Sequence, residues 1–243
     1  MGILENKKIL ITGGTSRLGE CFVRRAVLEK SQVFFTFNQS SALAQELQTL
    51  GAKGFKLDLA YTPAIDAFAK ILKAEAGNLD AVIHNAAAVR DHTIQNLTEE
   101  DWDYVMAVDL KAPYYLTKKI LSLLFKNDTE VRKIFMITSR AGMQGGFGIS
   151  NYAAAKAGLI GLTKSMAQEL GKKNILVNAV NPGFMKSRMT ELLPESVLET
   201  HLNASPLHQN SEPSEVADFL VYLCSDQMKG VTGQVFNFES RKI

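Results

Sequence analysis

Only two cysteines, six prolines and one tryptophan occur in 243 residues, and each shortage removes a class of protein. Cys21 and Cys224 lie in apolar stretches of helical spacing, so they read as buried free thiols of a reducing compartment and not as a disulfide framework. An excess of one charge is also missing. The 27 basic and 25 acidic residues are interspersed and give a formal charge of +2, which offers no basic face for a nucleic acid. No apolar run approaches the roughly 20 residues that span a bilayer. Glu5, Asn6, Lys7 and Lys8 lead straight into a strand pattern, without the apolar segment of a signal peptide. The expectation is a cytoplasmic protein with no nucleic-acid partner, no membrane contact and no metal site.

What the chain does have is a repeated alternation of short and long apolar patterns. With 46% hydrophobic residues it can bury a large core, and its length suits one big α/β domain better than two small ones. Short runs rich in β-branched and aromatic residues fall at Lys8 to Thr12, Val33 to Phe37, Phe55 to Leu57, Ala81 to His84, Lys133 to Thr138, Ile175 to Val180 and Val235 to Phe238. Helical patterns separate them, which predicts a single-domain α/β fold with a Rossmann-type doubly wound sheet of seven parallel strands. The strands read as apolar along their length, as when helices cover both faces of a sheet. Helix starts are signalled by Ser41, by Thr62-Pro63, by Thr98 before Glu99, Glu100 and Asp101, and by Ser211 to Ser214. Residues 1–90 form mainly a dinucleotide-binding half. Residues 182–213 are too long and too apolar for a plain connection, and Met185, Met189, Leu192, Leu193 and Leu198 suggest a helical flap over a pocket, or equally core packing.

Ser139, Tyr152 and Lys156 carry the chemistry, thirteen and then four residues apart. The four-residue spacing puts Tyr152 and Lys156 on one helix face. There an ammonium can strengthen a phenol, which ordinarily titrates near about 10, into a usable acid. Ser139, just after the apolar run Ile134 to Ile137, can hydrogen-bond the same oxygen. A Tyr-x-x-x-Lys spacing alone is equally compatible with an exposed lysine one turn beyond a packed tyrosine. The cofactor end adds weight. The first strand runs into Gly13, Gly14, Thr15, Ser16, Arg17, Leu18 and Gly19 and then into a helix, the place where an open α/β sheet binds a dinucleotide pyrophosphate. The second strand ends in Phe37, Asn38, Gln39, Ser40 and Ser41, without the carboxylate that would hold free ribose hydroxyls. Arg17 is nearby to meet an anion, so NADPH is favoured over NADH. Asp58 is placed to bind the adenine amino group or to cap a helix, and Asn85 to brace the cofactor-side backbone.

Together these residues resemble the short-chain dehydrogenase/reductase family over essentially the whole chain. Thr12 to Gly19 is similar to its glycine motif, His84-Asn85-Ala86-Ala87 to its Asn-Asn-Ala-Gly element, and Pro182-Gly183 with Ser187 to its nicotinamide clamp. Within the family, Ala88 to Asp91, Asn151 to Gly161 and Asn181 to Phe184 look most like 3-oxoacyl-[acyl-carrier-protein] reductases. The resemblance implies Ser139, Tyr152, Lys156 and Asp109 as catalytic residues. It further implies Leu59, Ala86, Ala87, Phe184 and Ser187 among the cofactor contacts, and Gln144, Phe184 and Met185 as substrate contacts. It also implies a homotetramer built on helices around Trp102 to Lys126 and Tyr152 to Leu170. A carrier protein is acidic, and Arg90, Lys172 and Lys173 are candidate docking cations near the expected mouth, although each taken singly reads more readily as ordinary solvated surface charge.

Three departures stand out. Arg17 replaces the middle glycine, as in pteridine reductases, which keeps a pterin substrate open. Asp109 stands where the family has a catalytic asparagine, adding a charge that opposes the lysine's field. The tail Asn237 to Ile243 lacks the usual glycine pair. A non-catalytic NADP(H)-binding scaffold is the remaining alternative.

Overall fold

A computed structural model describes residues 2–125, 130–185, 195–239 and 241. Seven strands form one parallel sheet: β1 (Lys8–Ile11), β2 (Gln32–Phe37), β3 (Lys53–Lys56), β4 (Ala81–His84), β5 (Arg132–Ile137), β6 (Ile175–Asn181) and β7 (Val235–Asn237). Their order is β3-β2-β1-β4-β5-β6-β7, as a doubly wound sheet requires, with the crossover direction reversing between β1 and β4. The register pairs Ile9 with Val33 on one side of β1 and with Ala81 on the other.

Nine α-helices are described: α1 (Arg17–Leu28), α2 (Ser41–Thr49), α3 (Thr62–Ala76), α4 (Glu99–Met106), α5 (Ala112–Ile120), α6 (Ala141–Gln144), α7 (Ser150–Leu170), α8 (Glu195–Asn203) and α9 (Pro213–Cys224). Local chemistry sets several starts. Ser16 Oγ accepts from Gly19 N ahead of α1, Thr98 accepts from Asp101 N ahead of α4, and proline stands in the first turn of α3 and α9.

The sheet separates two apolar cores. On one face Phe22, Val23 and Ala26 of α1 meet Val216, Leu220 and Val221 of α9 over Ile9, Ile11, Phe35 and Ile83. On the other, α3, α5 and α7 contribute Phe68, Leu72, Leu116, Ile120, Leu159 and Leu170 over Leu10, Phe34, Val82 and Ile134. Alternate residues of one strand thus face opposite cores, so Ile9 to Ile11 of β1 and Ala81 to Ile83 of β4 are apolar without a break. Two expectations need correction. Strand β3 is not apolar along its length, because it is the sheet's edge and its lysines face solvent. Cys224 is buried and its thiol is pushed up to about 12 by burial, but Cys21 is only half-buried. No helix among the described residues is long and apolar enough to cross a membrane.

The turn after β1 is the tightest junction. A Cβ on Gly19 would collide with the Gly13 carbonyl oxygen and lie 2.8 Å from Gly14 Cα, both rigid backbone. Gly19→Ala is therefore expected to cost about 1–3 kcal/mol of unfolding free energy. The change would appear as a lower urea midpoint at constant slope. An unchanged midpoint would show that the turn relaxes freely.

Candidate active site

The groups of interest gather at the carboxyl ends of β1, β4 and β5. Between α4 and α5 the helix widens into a π-helical turn over Ala107–Lys111. Such turns insert one residue and redirect the side chains around it. Here Asp109 becomes fully buried. Its Oδ1 accepts from Ala88 N at 2.7 Å, and its Oδ2 faces Lys156 Nζ at 3.2 Å. That second contact is one of charge without hydrogen-bond alignment, which is consistent with Oδ2 lacking a hydrogen-bond partner. Lys156 is 2% exposed; its Nζ also donates to Ile137 O at 3.1 Å and stands 5.4 Å from the Tyr152 ring centroid.

Burial alone would lower the affinity of Lys156 for its proton, but Asp109 foremost and Tyr152 next outweigh it and hold the ammonium protonated. Burial pulls the Asp109 carboxyl upward against Lys156 and the Ala88 N–H. The two directions disagree about who owns the proton. The ion pair is the better account, because each charge has a second polar partner within 3.1 Å. Ser139 follows β5, with its Oγ accepting from Ala141 N at 3.2 Å. Gly142 lets this short turn press onto α7, since a Cβ there would come within 2.6 Å of the Lys156 carbonyl carbon. Ser139 and Tyr152 are both half-buried. The neighbouring His84 is not an acid or base: burial pulls it down to about 3, and it is fixed to Thr117 Oγ1 at 2.7 Å.

A cleft of about 480 Å3 runs along the carboxyl ends of β1 to β4. Its walls include Gly13, Thr15, Ser16, Arg17, Asn38, Asp58, Leu59, Ala86 and Ala87, all cofactor residues expected from sequence. Gly13 has φ +67°, and a Cβ on it would lie 2.9 Å from Ala86 Cα, so only glycine leaves the turn open. Asn85 is buried and acts from behind. Its Nδ2 donates to Thr12 O at 2.9 Å, Gly13 O at 3.0 Å and Ser16 Oγ at 3.1 Å, fixing the turn. These features fit a dinucleotide phosphate at the start of α1. Leu18 and Gly19 are not among the cleft's walls: the Leu18 side chain packs in the core behind α1, and Gly19 serves the turn's packing. Asp58 lines the cleft, with its Oδ1 accepting from Ala60 N at 2.9 Å. Tyr152 and Lys156 are not among the cleft's walls; they adjoin it through Asp109 and Ala88.

Sequence reasoning missed Thr12 and Glu20. Thr12 Oγ1 accepts from both Asn85 N and Ala86 N, at 3.0 and 3.1 Å, joining β1 to β4. A strand-end threonine gives no signal until the strand order is known. Glu20 puts a carboxylate in the cleft wall, but Arg24 holds it at 2.9 Å, a pairing that the four-residue spacing could have suggested.

Beyond β6, Pro182 is buried and Gly183 has φ +79°, with Ser211 and Phe238 closing around it. The Phe184 ring stacks on His201 at 4.0 Å between centroids and lies 5.4 Å from the Arg241 guanidinium carbon. Arg241 in turn binds Glu239 twice, at 2.7 and 2.5 Å, and contacts His201 Nδ1. So Phe184, expected against substrate, is engaged by α8 and the tail. Met185 is partly buried: it packs against the core on the α1 and α9 side of the sheet and bridges to Ser211. Gln144 is exposed at the end of α6. Ser187, Met189, Leu192 and Leu193 lie outside the described residues. The docking cations are corrected too. Arg90 lines the cleft, but Lys172 and Lys173 follow the far end of α7, a 21-residue helix about 30 Å long. Within one chain they do not flank the same mouth.

A family model described as enoyl-(acyl carrier protein) reductase matches residues 15–239. The 3-oxoacyl-[acyl-carrier-protein] reductase of Thermotoga maritima is 35% identical over 241 residues, 97% of each chain. Nodulation protein G of Rhizobium meliloti is 34% identical over 236 residues, 96% of each. A doubly substituted short-chain dehydrogenase/reductase of Serratia marcescens superposes with a TM-score of 0.89 at 27% identity, covering 98% of both chains.

The Asp109 charge has a measurable effect. Removing it strips Lys156 of the partner that raises its affinity for a proton. The basic limb of a pH–rate profile is therefore expected to move to lower pH in Asp109→Asn, by roughly one unit or more for a contact this close. An unchanged basic limb in kcat/KM against pH would eliminate this role for Asp109.

Proposed function

The chain belongs to the short-chain dehydrogenase/reductase family and is an oxidoreductase, and from that premise we propose that it uses NADPH to reduce a 3-oxoacyl group carried on acyl carrier protein, in fatty-acid biosynthesis. The observation that carries the reading is the buried Lys156–Asp109 pair set against Tyr152 and joined through Ala88 to the cleft at the glycine turn. When bound, the cofactor supplies the hydride that adds to the ketone carbon.

The residues supply position and protons. Tyr152 donates its hydroxyl proton to the carbonyl oxygen, and Ser139 hydrogen-bonds the same oxygen and polarises it. Lys156, held in place by Ile137 O and Asp109, stabilises the phenolate that results. An ammonium has three donors and only one is spent on Ile137 O, so donors remain for the ribose hydroxyls. Asp109 links this lysine to the backbone of Ala88 and closes the proton path. NADPH is preferred because exposed Asn38 and Gln39 end β2 without an acid, Arg17 stands on the cleft wall, and Arg24 engages Glu20. Pro182, Gly183, Phe184 and Ser187 are proposed as the nicotinamide clamp, and residues 182–213 as the substrate flap. The acyl-carrier substrate rests on the relatives of that name at 35% and 33% identity over nearly the whole chain. The enzyme is proposed to be a cytoplasmic homotetramer, and Arg90 is the cation best placed to meet the acidic carrier.

Arg17 favours one second reading, reduction of a pterin, because it is an exposed cation on the cleft wall. NADPH oxidation with acetoacetyl-acyl carrier protein, a dihydropterin and a simple ketone separates the readings. The carrier-bound substrate is expected to turn over fastest. Tyr152→Phe should lose on the order of a hundredfold or more while still binding NADPH. Faster turnover of the dihydropterin would establish the pterin reading, and binding of NADPH without turnover of any substrate would leave a scaffold.

A further inference from the structure

Asn151 precedes Tyr152 in the first turn of α7, and its side chain is fully buried. Its Nδ2 donates to Arg90 O at 2.9 Å and lies 3.5 Å from Asp101 O, and its Oδ1 accepts from Tyr152 N at 2.8 Å. A helix leaves its first N–H groups without intrahelical partners, so capping the Tyr152 N–H is an ordinary use of such a side chain. Reaching back 61 residues to the Arg90 carbonyl is not.

The segment so gripped is Ala88 to Arg90, and all three residues line the cofactor cleft. Its other end is held by Asp109, which accepts from Ala88 N at 2.7 Å and faces Lys156 at 3.2 Å. Both anchors therefore adjoin the proposed proton donor and its cation, one through the chain and one through charge. The far side is fixed as well: the Arg90 side chain lies 3.5 Å from Asp101 and 5.0 Å above the Tyr104 ring, and Thr98 donates to Asp101 Oδ2 at 2.8 Å. A segment clamped this way cannot shift without pulling on the first turn of α7.

We propose that Asn151 is a positioning residue: its amide donor locks the cofactor-facing segment Ala88 to Arg90 to the helix turn that aims Tyr152, so that occupancy of the cleft and alignment of the hydroxyl are set together. The inference rests on Tyr152 as the proton donor. It extends that reading by naming what couples the donor to the cofactor.

Two variants separate the halves of the amide. Asn151→Asp keeps an oxygen for the Tyr152 N–H but loses the donor and sets a carboxylate against two carbonyls. Asn151→Ser can still accept from that N–H, yet it is too short to reach Arg90 O. Both are expected to weaken NADPH binding, followed by nucleotide fluorescence, and to lower kcat at saturating NADPH on the order of tenfold or more, with little change in KM for the ketone. Parent values of NADPH affinity and kcat in folded Asn151→Ser would overturn the proposal, as would a loss confined to KM. Should Asn151→Asp not fold, Asn151→Ser decides. Hydrogen exchange on the parent protein adds an arm free of mutation and of turnover. NADPH is expected to slow exchange in residues 88–91 and in the first turn of α7 together, and protection of residues 88–91 alone would also overturn the coupling. A parent that binds NADPH but reduces no ketone would instead count against the proposed function, while the exchange arm still decides the coupling.

Discussion

The ion pair between Lys156 and Asp109 is the constraint on which the rest of the site depends. Both side chains are at most 2% exposed, so each has given up nearly all its water. Desolvating two charges costs several kcal/mol per ion, recovered only when geometry and further hydrogen bonds are good. Here the further bonds are backbone ones, Ala88 N to the carboxylate and Ile137 O from the ammonium. The pair therefore cannot relax independently of β5 or of the loop after β4. It fixes four elements, α7, the π-helical turn, β5 and that loop, at one point. A neutral asparagine in place of Asp109 would keep a hydrogen bond to Ala88 but would not hold the lysine charged by Coulomb attraction. The aspartate makes the lysine a firmer cation and at the same time weakens its net field at Tyr152. Those opposed effects distinguish this site from one built on an amide.

The sheet explains why the pair is where it is. All seven strands are parallel, so every carboxyl end opens on one side and every returning helix runs back to the other. The loops after β1, β4 and β5 then converge where the crossover direction reverses, and no strand edge closes the gap. Thr12 turns that convergence into a rigid junction, receiving two N–H groups from the loop after β4. Asn85 returns the bond to the backbone of the first turn. The cleft is thus held by hydrogen bonds between loops that the strand order alone makes neighbours.

That distinction marks how far the sequence could be read. The seven strands were legible because period and composition are local properties, and the glycine turn was legible because Gly13 and Gly19 answer steric demands within a few residues. Tyr152 and Lys156 were legible for the same reason: one helix turn separates them. Asp109 was visible only as a departure from a family pattern, since nothing local announces a π-helical turn or the lysine across from it. The misplacements have the same root. Lys172 and Lys173 fall away from the mouth once the length and direction of α7 are fixed, and Met185 reads as flap or core according to a packing that distant residues such as Ser211 and those of α9 supply. Edge exposure of β3 likewise follows from strand order, which no single strand encodes.

The tail shows how a missing local signal is replaced by tertiary contacts. Without a glycine pair after β7, the chain continues into Glu239 and a 7%-exposed Arg241, which form a two-point pair. Burial alone would raise the Glu239 carboxyl, but Arg241 outweighs it and holds the group below its usual range. Burial, then Arg241 and Arg140, hold His201 down, so the imidazole stays neutral where it meets the guanidinium and stacks on Phe184. A protonated imidazole there would face two arginines with one carboxylate between them. A neutral His201 therefore suits the place where α8, the tail and the segment after β6 meet. Like the pair at Lys156, this cluster joins distant segments by one buried cation and the acid that matches it. Here the acid lies two residues from its partner, and so the joint is carried by the tail itself.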